Sequence, residues 1–456
     1  MQHIHFIGIC GTAMGSVAAA MHAKGFTVTG SDENVYPPMS TFLEQQGIQI
    51  FPGYKAQNIP ETAEVIVVGN AISRGNEEAE AALERKLLYV SLPEILKDHF
   101  LRGRRNLVVS GTHGKTTTSS ILAWILKSAG VDPSYMIGGI PRNLGQGATF
   151  TGSDFVVLEG DEYDTAFFDK RSKFLHYLPE VVVINNIEFD HADIYNSLDE
   201  IKLTFKRLLN IVPRNGMAFV NGDCVNTMDV ASDGPAPITT VGLGAKCDLQ
   251  ITDVDYGREN TSFVLDGEHY VLPMAGEFNV RNAAMAICTA RFSGFSADQI
   301  RHGLASFEGI ARRQEVRGIA GGVRVIDDFA HHPTAIGLAV DSLRQQYPDS
   351  RLWVIFEPRS NTTRRNVFQD DLANALSKAD LVVVPAVPDP EKVAEQDRLD
   401  PHKLVSDIQA SGTSCWYLET VDEIVTLVAS ESREGDTVAV LSNGGFGGIH
   451  QKLLDN

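Results

Sequence analysis

The segment 108–118 contains the residues with the clearest potential for chemistry. An apolar strand ending in Val108 and Val109 runs into a glycine-rich turn with the sequence GTHGKTTT. Glycines let backbone N–H groups close around phosphate oxygens, Lys115 adds a positive charge, and the Thr116 hydroxyl can bind Mg²⁺. The usual pattern has a glycine where Val109 stands, so a helix cap without a ligand is the alternative. The expected phosphate-binding loop comprises Gly111, Thr112, Gly114, Lys115, Thr116 and Thr117.

Two apolar strands are predicted downstream of this loop, and each ends in polar residues. Residues 155–158 run into Glu159-Gly160-Asp161-Glu162, and residues 181–184 run into a segment that contains His191. The carboxyl ends of parallel strands meet at one edge of a sheet, beside the phosphate loop. Glu159 therefore stands where such a protein needs an acid for Mg²⁺. The alternative is that the acids only keep a loop solvated.

The N-terminal block has the pattern of a nucleotide-binding βαβ unit. A strand at 3–8 leads into a glycine turn, a helix and a second strand that delivers Asp32. The dinucleotide fingerprint G-x-G-x-x-G is incomplete, because Cys10 and Ala13 stand where glycines are required. A dinucleotide, another nucleotide and a purely structural turn all remain open on this evidence. The block ends near residues 101–103, a charged connector.

The C-terminal block begins near residue 311 and returns to alternating strands and helices. Its first strand ends in Asp327 and Asp328 and is followed by the adjacent pair His331 and His332. A zinc site is disfavoured, because adjacent side chains diverge and no cysteine or third histidine has a matching spacing.

Composition narrows the class of protein. With 456 residues the chain is too long for one core, and about two to four domains are expected. The net charge of −19 argues against a general nucleic-acid or membrane-surface binder. The five widely spaced cysteines fit a reducing compartment, and no apolar run has the length of a membrane span. A cytoplasmic protein is expected.

The motifs as a set resemble those of one enzyme family. GTHGKTTT, LEGDEYD, NNIEFDHADIY, GEFNVRNAA, the pair Arg312-Arg313 and DDFAHHPTAI occur in the order and spacing of the Mur ligases, the ATP-dependent amide-bond-forming enzymes of peptidoglycan assembly. This resemblance covers nearly the whole chain and implies an α/β fold of three domains. These are an N-terminal Rossmann-like domain that holds UDP (1–102), a central P-loop ATPase-like domain with a mixed sheet (103–310) and a C-terminal Rossmann-like domain that receives the amine (311–456).

The resemblance also implies ATP and Mg²⁺ as cofactors and a role for particular residues. The implied catalytic residues are Lys115, His191 and Arg313, and the implied metal ligands are Thr116, Glu159 and His191. The residues implied to contact ATP beyond the loop are Asn279, Asn282, Arg313 and Asp328. From the residues alone, the two asparagines could equally be helix caps, and a lone histidine after Asp190 is often a structural hydrogen-bonding group.

The implied contacts of the UDP-sugar lie in the first block, where the turn suits a UDP-sugar better than NAD. They are Gly11, Thr12, Ala13, Met14, Gly15, Ser31 and Asp32. His331 and His332 are expected to line the active site as polar contacts.

Finer features of the motifs suggest the substrates. DDFAHHPT and GICGTAMG resemble the family members that act on UDP-N-acetylmuramate itself, whereas NVYPPMST, GNAISRGN, EPRSNT and SNGGFGGIHQKL resemble those that attach the murein tripeptide L-alanyl-γ-D-glutamyl-meso-diaminopimelate to it. A tripeptide brings carboxylates that need local positive and polar contacts. We expect these contacts at Arg359, Asn443 and His450.

Three other functions compete with this interpretation. A family member that adds L-alanine would use nearly the same ATP residues. An NAD-dependent oxidoreductase would leave the phosphate loop without a use. A sensor that binds a muramyl ligand without chemistry would not need Lys115, Thr116, Glu159 and His191 together.

Overall fold

The computed structural model describes residues 2–232 and 234–456. Their contacts group the chain into two compact units. The first unit comprises the chain up to Glu188 together with Ser197–Gln250 and Ala284–Gly303. The second unit comprises Phe189–Asn196, Ile251–Ala283 and Leu304–Asn456.

A parallel sheet forms the N-terminal part of the first unit. Its strands are β1 (His3–Ile7), β2 (Thr27–Asp32), β3 (Gln49–Pro52), β4 (Val65–Val68) and β5 (Leu88–Ser91), in the spatial order β3-β2-β1-β4-β5. The accompanying helices are α1 (Thr12–Ala23), α2 (Met39–Gln45), α3 (Glu77–Glu84) and α4 (Leu92–Leu96). The order reverses next to β1, and open parallel sheets bind ligands at such reversals. The turn after β1 is therefore at the position where a nucleotide is expected.

A mixed sheet forms the rest of the first unit. Its strands are β6 (Arg105–Ser110), β7 (Ser134–Met136), β8 (Ala148–Thr149), β9 (Phe155–Gly160), β12 (Val181–Ile184), β13 (Met217–Asn221) and β14 (Ile238–Gly242), and a separate hairpin contains β10 (Asp164–Ala166) and β11 (Asp169–Ser172). The order is β14-β13-β12-β6-β9-β7-β8, with only β8 antiparallel to its neighbour. The helices are α5 (Lys115–Ser128), α6 (Leu198–Asn210) and α7 (Val225–Ala231), and α8 (Glu277–Phe292) and α9 (Ala297–Ala305) come later in the chain.

The second unit contains an antiparallel meander and a six-stranded sheet. The meander is β15 (Leu249–Tyr256), β16 (Thr261–Leu265) and β17 (Glu268–Leu272). The sheet has the order β18-β19-β23-β20-β21-β22, and only β18 is antiparallel. Its strands are β18 (Glu315–Ala320), β19 (Val323–Asp328), β20 (Leu352–Phe356), β21 (Leu381–Pro385), β22 (Ser414–Leu418) and β23 (Thr437–Leu441).

Helices cover both faces of this six-stranded sheet. They are α10 (Pro333–Gln346), α11 (Gln369–Leu376), α12 (Pro401–Ala410), α13 (Val421–Glu431) and α14 (Ile449–Leu454). One hydrophobic cluster contains side chains of α10, α11 and α12, and another contains side chains of α13 and α14. Both faces of the strands are therefore buried, as a doubly wound sheet requires.

The three larger sheets follow one another along the chain as predicted: parallel, mixed and again mainly parallel. The predicted α/β fold is confirmed. The domain boundaries at residues 102 and 310 stay a prediction, since the two contact units divide the chain at other positions. Among the residues described, no helix is both long enough and apolar enough to span a lipid bilayer.

Candidate active site

The phosphate loop lies between the end of β6 and the start of α5. Gly111 and Gly114 have φ angles of 125° and 80°, which L side chains rarely adopt. A Cβ atom on Gly111 would also lie 3.0 Å from the backbone nitrogens of Asn185 and Asn186. Both glycines are therefore required by the backbone, and the N-terminus of α5 opens onto the loop as predicted.

Lys115 is buried beneath this loop. Its ammonium group donates to the carbonyl of Gly111 at 2.7 Å and to the carboxylate of Glu162 at 2.9 Å. Burial by itself lowers the pKa of Lys115, but Glu162, Asp161 and Glu159 outweigh it and raise the pKa above the ordinary lysine value. The lysine is thus held in its charged form at the base of the loop. Sequence reasoning gave Glu162 no role of its own.

Thr116 and Glu159 lie together on the same side of the loop. The Thr116 hydroxyl donates to Glu159 Oε1 at 2.9 Å, and the backbone N–H of Gly138 donates to Oε2 at 2.7 Å. Burial, and secondarily Asp161, raises the pKa of Glu159. A hydroxyl and a carboxylate in contact are hard oxygen donors, which is the ligand type that Mg²⁺ prefers. The pair therefore fits a magnesium site of this kind.

The segment after β12 forms one wall of the loop. Asn186 Oδ1 accepts a hydrogen bond from the backbone N–H of His113 at 2.7 Å, and the Asn186 carbonyl accepts from the Thr112 N–H at 3.1 Å. The imidazole of His113 lies 3.1 Å from Glu188 Oε2. The double asparagine that follows the strand is a sequence signal from which this wall could have been predicted. Asn186 holds the backbone of the phosphate loop in place through these two hydrogen bonds.

Asp190 and His191 belong to the second unit. Burial would raise the pKa of Asp190, but the adjacent His191 and the imidazoles of His332 and His331 hold it below the ordinary range. His191 has a φ of 53°, in the left-handed region. The predicted metal ligands therefore fall in both compact units, with Thr116 and Glu159 in the first and His191 in the second.

The predicted adenine contacts lie at the start of α8. The Asn279 amide donates to the carbonyl of Ala275 at 2.7 Å, and its oxygen is buried without a hydrogen-bond partner among the described residues. A buried acceptor of this kind fits the amino group of a purine. Asn282 lies one helical turn later and is also buried.

The two adjacent arginines before β18 have different surroundings. Arg312 donates to the carbonyls of Ser442 and Gly444, both at 2.7 Å, and so holds the loop after β23. The guanidinium of Arg313 lies 4.9 Å from the ring centroid of Phe329. The role of Arg313 toward the γ-phosphate stays a prediction. Arg312 has a structural role, and the double-arginine motif alone does not show which of the two arginines has it.

Asp328 is buried at the end of β19. Its two carboxylate oxygens accept from the backbone N–H groups of Gln314 and Ala330, at 2.8 Å and 2.7 Å. Burial raises the pKa of Asp328, against the lowering effect of Arg313. The observed role of Asp328 is to fix the backbone at Gln314 and Ala330, and its contact with ATP stays a prediction.

The two polar residues at the end of β2, Ser31 and Asp32, have different surroundings. Asp32 accepts from the backbone N–H groups of Cys10 and Asn34, each at 2.9 Å, and so closes the turn that holds Gly11 and Thr12. The Ser31 hydroxyl, however, is fully buried and donates to Glu78. Neighbouring residues of a strand point to opposite faces, so the side chains of Ser31 and Asp32 cannot both face a ligand. The contact of Ser31 with the UDP-sugar stays a prediction, and the Ser31 hydroxyl is already bonded inside the protein.

The remaining turn residues begin helix α1. Met14 is buried, Ala13 is partly buried, and a Cβ atom on Gly15 would lie 2.4 Å from the sulfur of Met39. Gly15 is thus needed for the close packing of α1 against α2.

The predicted peptide contacts lie at the ends of β20 and β23, which are neighbours in the sheet. The Arg359 guanidinium is about half exposed, and its Nε would lie 2.6 Å from a Cβ atom on Gly444, so it rests on the loop that contains Asn443. Asn443 Oδ1 is buried without a partner among the described residues. His450 lies in α14 with its imidazole 3.4 Å from Asp327. Arg359 and the Asn443 loop are therefore brought together, whereas His450 pairs with an acid of the protein.

Models of known protein families match most of the chain. The Mur ligase family catalytic domain matches residues 3–104, the Mur ligase middle domain residues 109–290, and the Mur ligase glutamate ligase domain residues 312–444.

Individual relatives match over the full length. The chain is 42% identical to the UDP-N-acetylmuramate–L-alanyl-gamma-D-glutamyl-meso-2,6-diaminoheptandioate ligase of Escherichia coli (strain K12), covering 100% of this chain and 98% of the relative. It is 33% identical to the UDP-N-acetylmuramate–L-alanine ligase of Psychrobacter sp. (strain PRwf-1), over 100% and 95%. Among solved structures, a murein peptide ligase from Psychrobacter arcticus 273-4 matches with a TM-score of 0.74 at 36% identity, over 100% of this chain and 98% of that one.

Proposed function

Since this chain belongs to the Mur ligase family, we propose that it is an ATP-dependent, ADP-forming ligase that joins the tripeptide L-alanyl-γ-D-glutamyl-meso-diaminopimelate to UDP-N-acetylmuramate. The observation that carries this proposal is the full-length likeness to the tripeptide ligase of E. coli, at 42% identity against 33% for an alanine ligase. L-alanine is the alternative amine. A cytoplasmic location stays a prediction from the sequence.

The reaction needs activation because a carboxylate has no leaving group. An oxygen of the muramoyl carboxylate attacks the γ-phosphorus of ATP, the bond to the β-phosphate oxygen breaks, and ADP leaves. The amine nitrogen of the peptide then attacks the acyl carbon and loses a proton. The carbon–oxygen bond breaks with its electron pair on phosphate, which gives the amide and inorganic phosphate.

The residues around the phosphate loop support the first step. Charge builds up on the transferred phosphoryl group, and a preorganised cation stabilises it. Lys115 is charged and lies beneath the loop, at 2.7 Å from the Gly111 carbonyl. Thr116 and Glu159 would hold Mg²⁺, which supplies positive charge to the phosphates when it is bound. His191 stays a proposed metal ligand, and Arg313 stays a proposed contact of the γ-phosphate.

Three further regions would hold the two nucleotides and the peptide. The turn at Gly11 to Met14, closed by Asp32, would bind the UDP pyrophosphate, and Asn279 would accept a hydrogen bond from adenine. The pairing of Arg359 with the Asn443 loop supports a site for a peptide carboxylate.

Phosphate release separates a ligase from a ligand sensor. The protein is incubated with ATP and Mg²⁺, and then with UDP-N-acetylmuramate, with the tripeptide, or with both. We expect phosphate release to equal the amide formed, and to require both substrates. Binding of UDP-N-acetylmuramate without release under any of these conditions would support the sensor instead.

A further inference from the structure

A short segment of the second unit is held by residues far away in the sequence. This segment, 189–196, contains the proposed metal ligand His191 and is called here the FDH segment. Asp190 is 7% exposed, and its Oδ1 accepts from the Thr362 hydroxyl at 2.9 Å and from the backbone N–H of His191 at 2.7 Å. One carboxylate oxygen therefore joins Thr362 to the backbone of His191.

The backbone at His191 needs such support. Its φ of 53° lies in the left-handed region, which is unfavourable for a residue with a Cβ atom. Its carbonyl accepts from the N–H groups of Ile194 and Tyr195, at 2.8 Å and 3.0 Å. A strained conformation persists only when its surroundings determine it. The turn 191–195 and the Asp190 carboxylate are the contacts that do so.

A second contact fixes the start of the segment. The His332 imidazole accepts from the Thr334 N–H at 3.3 Å through Nδ1, so its Nε2 carries the proton and donates to the Phe189 carbonyl at 3.1 Å. The His332 ring also lies 4.8 Å from the ring of Phe368. His332 was expected to line the active site, and its observed role is to cap α10 and hold Phe189.

Thr362 is part of a stiff loop that begins with Arg359. The loop 359–365 closes on itself, because Arg364 N donates to the Ser360 carbonyl at 3.0 Å and Thr363 Oγ1 lies 2.8 Å from Ser360 Oγ. Thr362 is 4% exposed. The loop that carries the proposed peptide arginine is thus bonded to the segment that carries the proposed metal histidine.

We propose that Thr362 is a positioning residue, which holds His191 in place for metal binding through the buried carboxylate of Asp190. The inference rests on the proposed function, because it takes Arg359 as a peptide contact and His191 as a metal ligand. Because this loop is bonded to Asp190, contacts that the peptide makes with the loop also hold His191 in place for the metal. Binding of the peptide strengthens binding of the metal, and the converse holds to the same degree.

Variants at Thr362 test this link directly. Thr362→Val keeps the shape and removes the hydroxyl, whereas Thr362→Ser keeps the hydroxyl. The matched control is Asn361→Ala, because the Asn361 amide donates to Asp193 of the same FDH segment at 2.9 Å, but between exposed side chains. Water replaces an exposed bond at little cost, whereas a buried charged acceptor loses more.

The first measurement is amide hydrogen exchange of the FDH segment in the full-length protein without ligands. Loss of a hydrogen bond to a buried charged group should make exchange at Ile194 and Tyr195 about tenfold faster in Thr362→Val. Thr362→Ser and Asn361→Ala should exchange like the parent protein. Unchanged exchange in Thr362→Val would overturn the proposal.

The second measurement is the Mg²⁺ concentration for half-maximal ligation. At saturating ATP this Mg²⁺ concentration should be about tenfold higher in Thr362→Val than in the parent protein. It should equal the parent value in Thr362→Ser and in Asn361→Ala. Faster exchange without a change in the Mg²⁺ requirement would also overturn the proposal. Failure of the proposed function would appear separately, as parent protein that forms no amide, and the exchange comparison would still decide whether Thr362 positions His191.

Discussion

The ammonium nitrogen of Lys115 lies 2.9 Å from Oε2 of Glu162, and their side chains are only 10% and 2% exposed. The lysine of the phosphate loop is therefore half of a buried ion pair. Removal of one partner from such a pair leaves an uncompensated charge in the interior, which is strongly destabilising. Substitution of Lys115 consequently changes two properties, the charge at the phosphates and the stability of the fold.

A double variant separates these two effects. Lys115→Ala should lower the free energy of unfolding by about 3–5 kcal/mol, because Glu162 stays buried without its partner. Lys115→Ala/Glu162→Gln should recover most of that loss, but both variants should ligate on the order of 10²–10³-fold more slowly or worse. Denaturant unfolding and ligation rates provide the two readouts. Recovery of ligation in the double variant would remove Lys115 from the mechanism.

Glu159→Gln should weaken Mg²⁺ binding and yet stabilise the metal-free protein at neutral pH. Burial raises the folded-state pKa of Glu159 above 4.5. The folded state therefore binds this proton more tightly than the unfolded state, and stability is lost as pH rises through the raised pKa. Glutamine cannot ionise and avoids that loss.

Calorimetry as a function of pH tests whether Glu159→Gln stabilises the metal-free protein. The stability advantage of Glu159→Gln should be largest near neutrality and should narrow as the pH falls through the raised pKa of Glu159, because the parent carboxyl then takes up its proton in the folded state. A variant that is less stable than the parent at pH 7 would contradict the buried-carboxylate account.

His191→Ala should raise the Mg²⁺ concentration that ligation requires, because the metal loses an imidazole ligand. It should not stabilise the protein as Glu159→Gln does, because this substitution removes no buried carboxylate. His302→Ala, a histidine of helix α9, serves as the control. A Mg²⁺ titration in the ligation assay is the measurement. Identical titrations for His191→Ala and the parent would show that His191 is not a ligand of the metal.

Gly444→Ala should mimic the loss of Arg359. The added Cβ atom would lie 2.5 Å from Arg359 Cδ, so the guanidinium must move away from the loop. Gly445→Ala is the matched control, because a Cβ atom there meets nothing within 4 Å and its φ is −82°. The peptide KM should rise about threefold to tenfold in Gly444→Ala and Arg359→Ala, with the ATP KM nearly unchanged.

Steady-state kinetics with each substrate varied in turn distinguishes these variants. An unchanged peptide KM in both Gly444→Ala and Arg359→Ala would show that the loops after β20 and β23 do not bind the peptide. A matching rise in Gly445→Ala would indicate a general loss of loop structure.

The sequence predicted those parts of the site that depend on local backbone. The phosphate loop follows from glycines with positive φ beside a lysine, and the strand ends place Glu159 at the same sheet edge. The inward orientation of Ser31 could also have been predicted, because it alternates with Asp32 along β2. The adjacent pair His331 and His332 likewise had to diverge.

Other features depend on partners distant in sequence. Thr362 contacts Asp190 across 172 positions of chain, and His450 lies beside Asp327. Which of Arg312 and Arg313 holds the loop after β23 depends on where that loop runs. Local patterns do not contain these contacts, since they arise only when the sheet of the second unit is assembled.

The identity of the amine tests the central claim most directly. The protein, ATP, Mg²⁺ and UDP-N-acetylmuramate are combined with equal concentrations of L-alanine, the dipeptide L-alanyl-D-glutamate and the tripeptide ending in meso-diaminopimelate. The products are identified by mass. We expect the tripeptide adduct to dominate, because only the tripeptide offers the diaminopimelate carboxylates for which Arg359 and the Asn443 loop are the proposed contacts. An adduct of L-alanine as the main product would contradict the proposed function and establish the alanine-adding activity in its place.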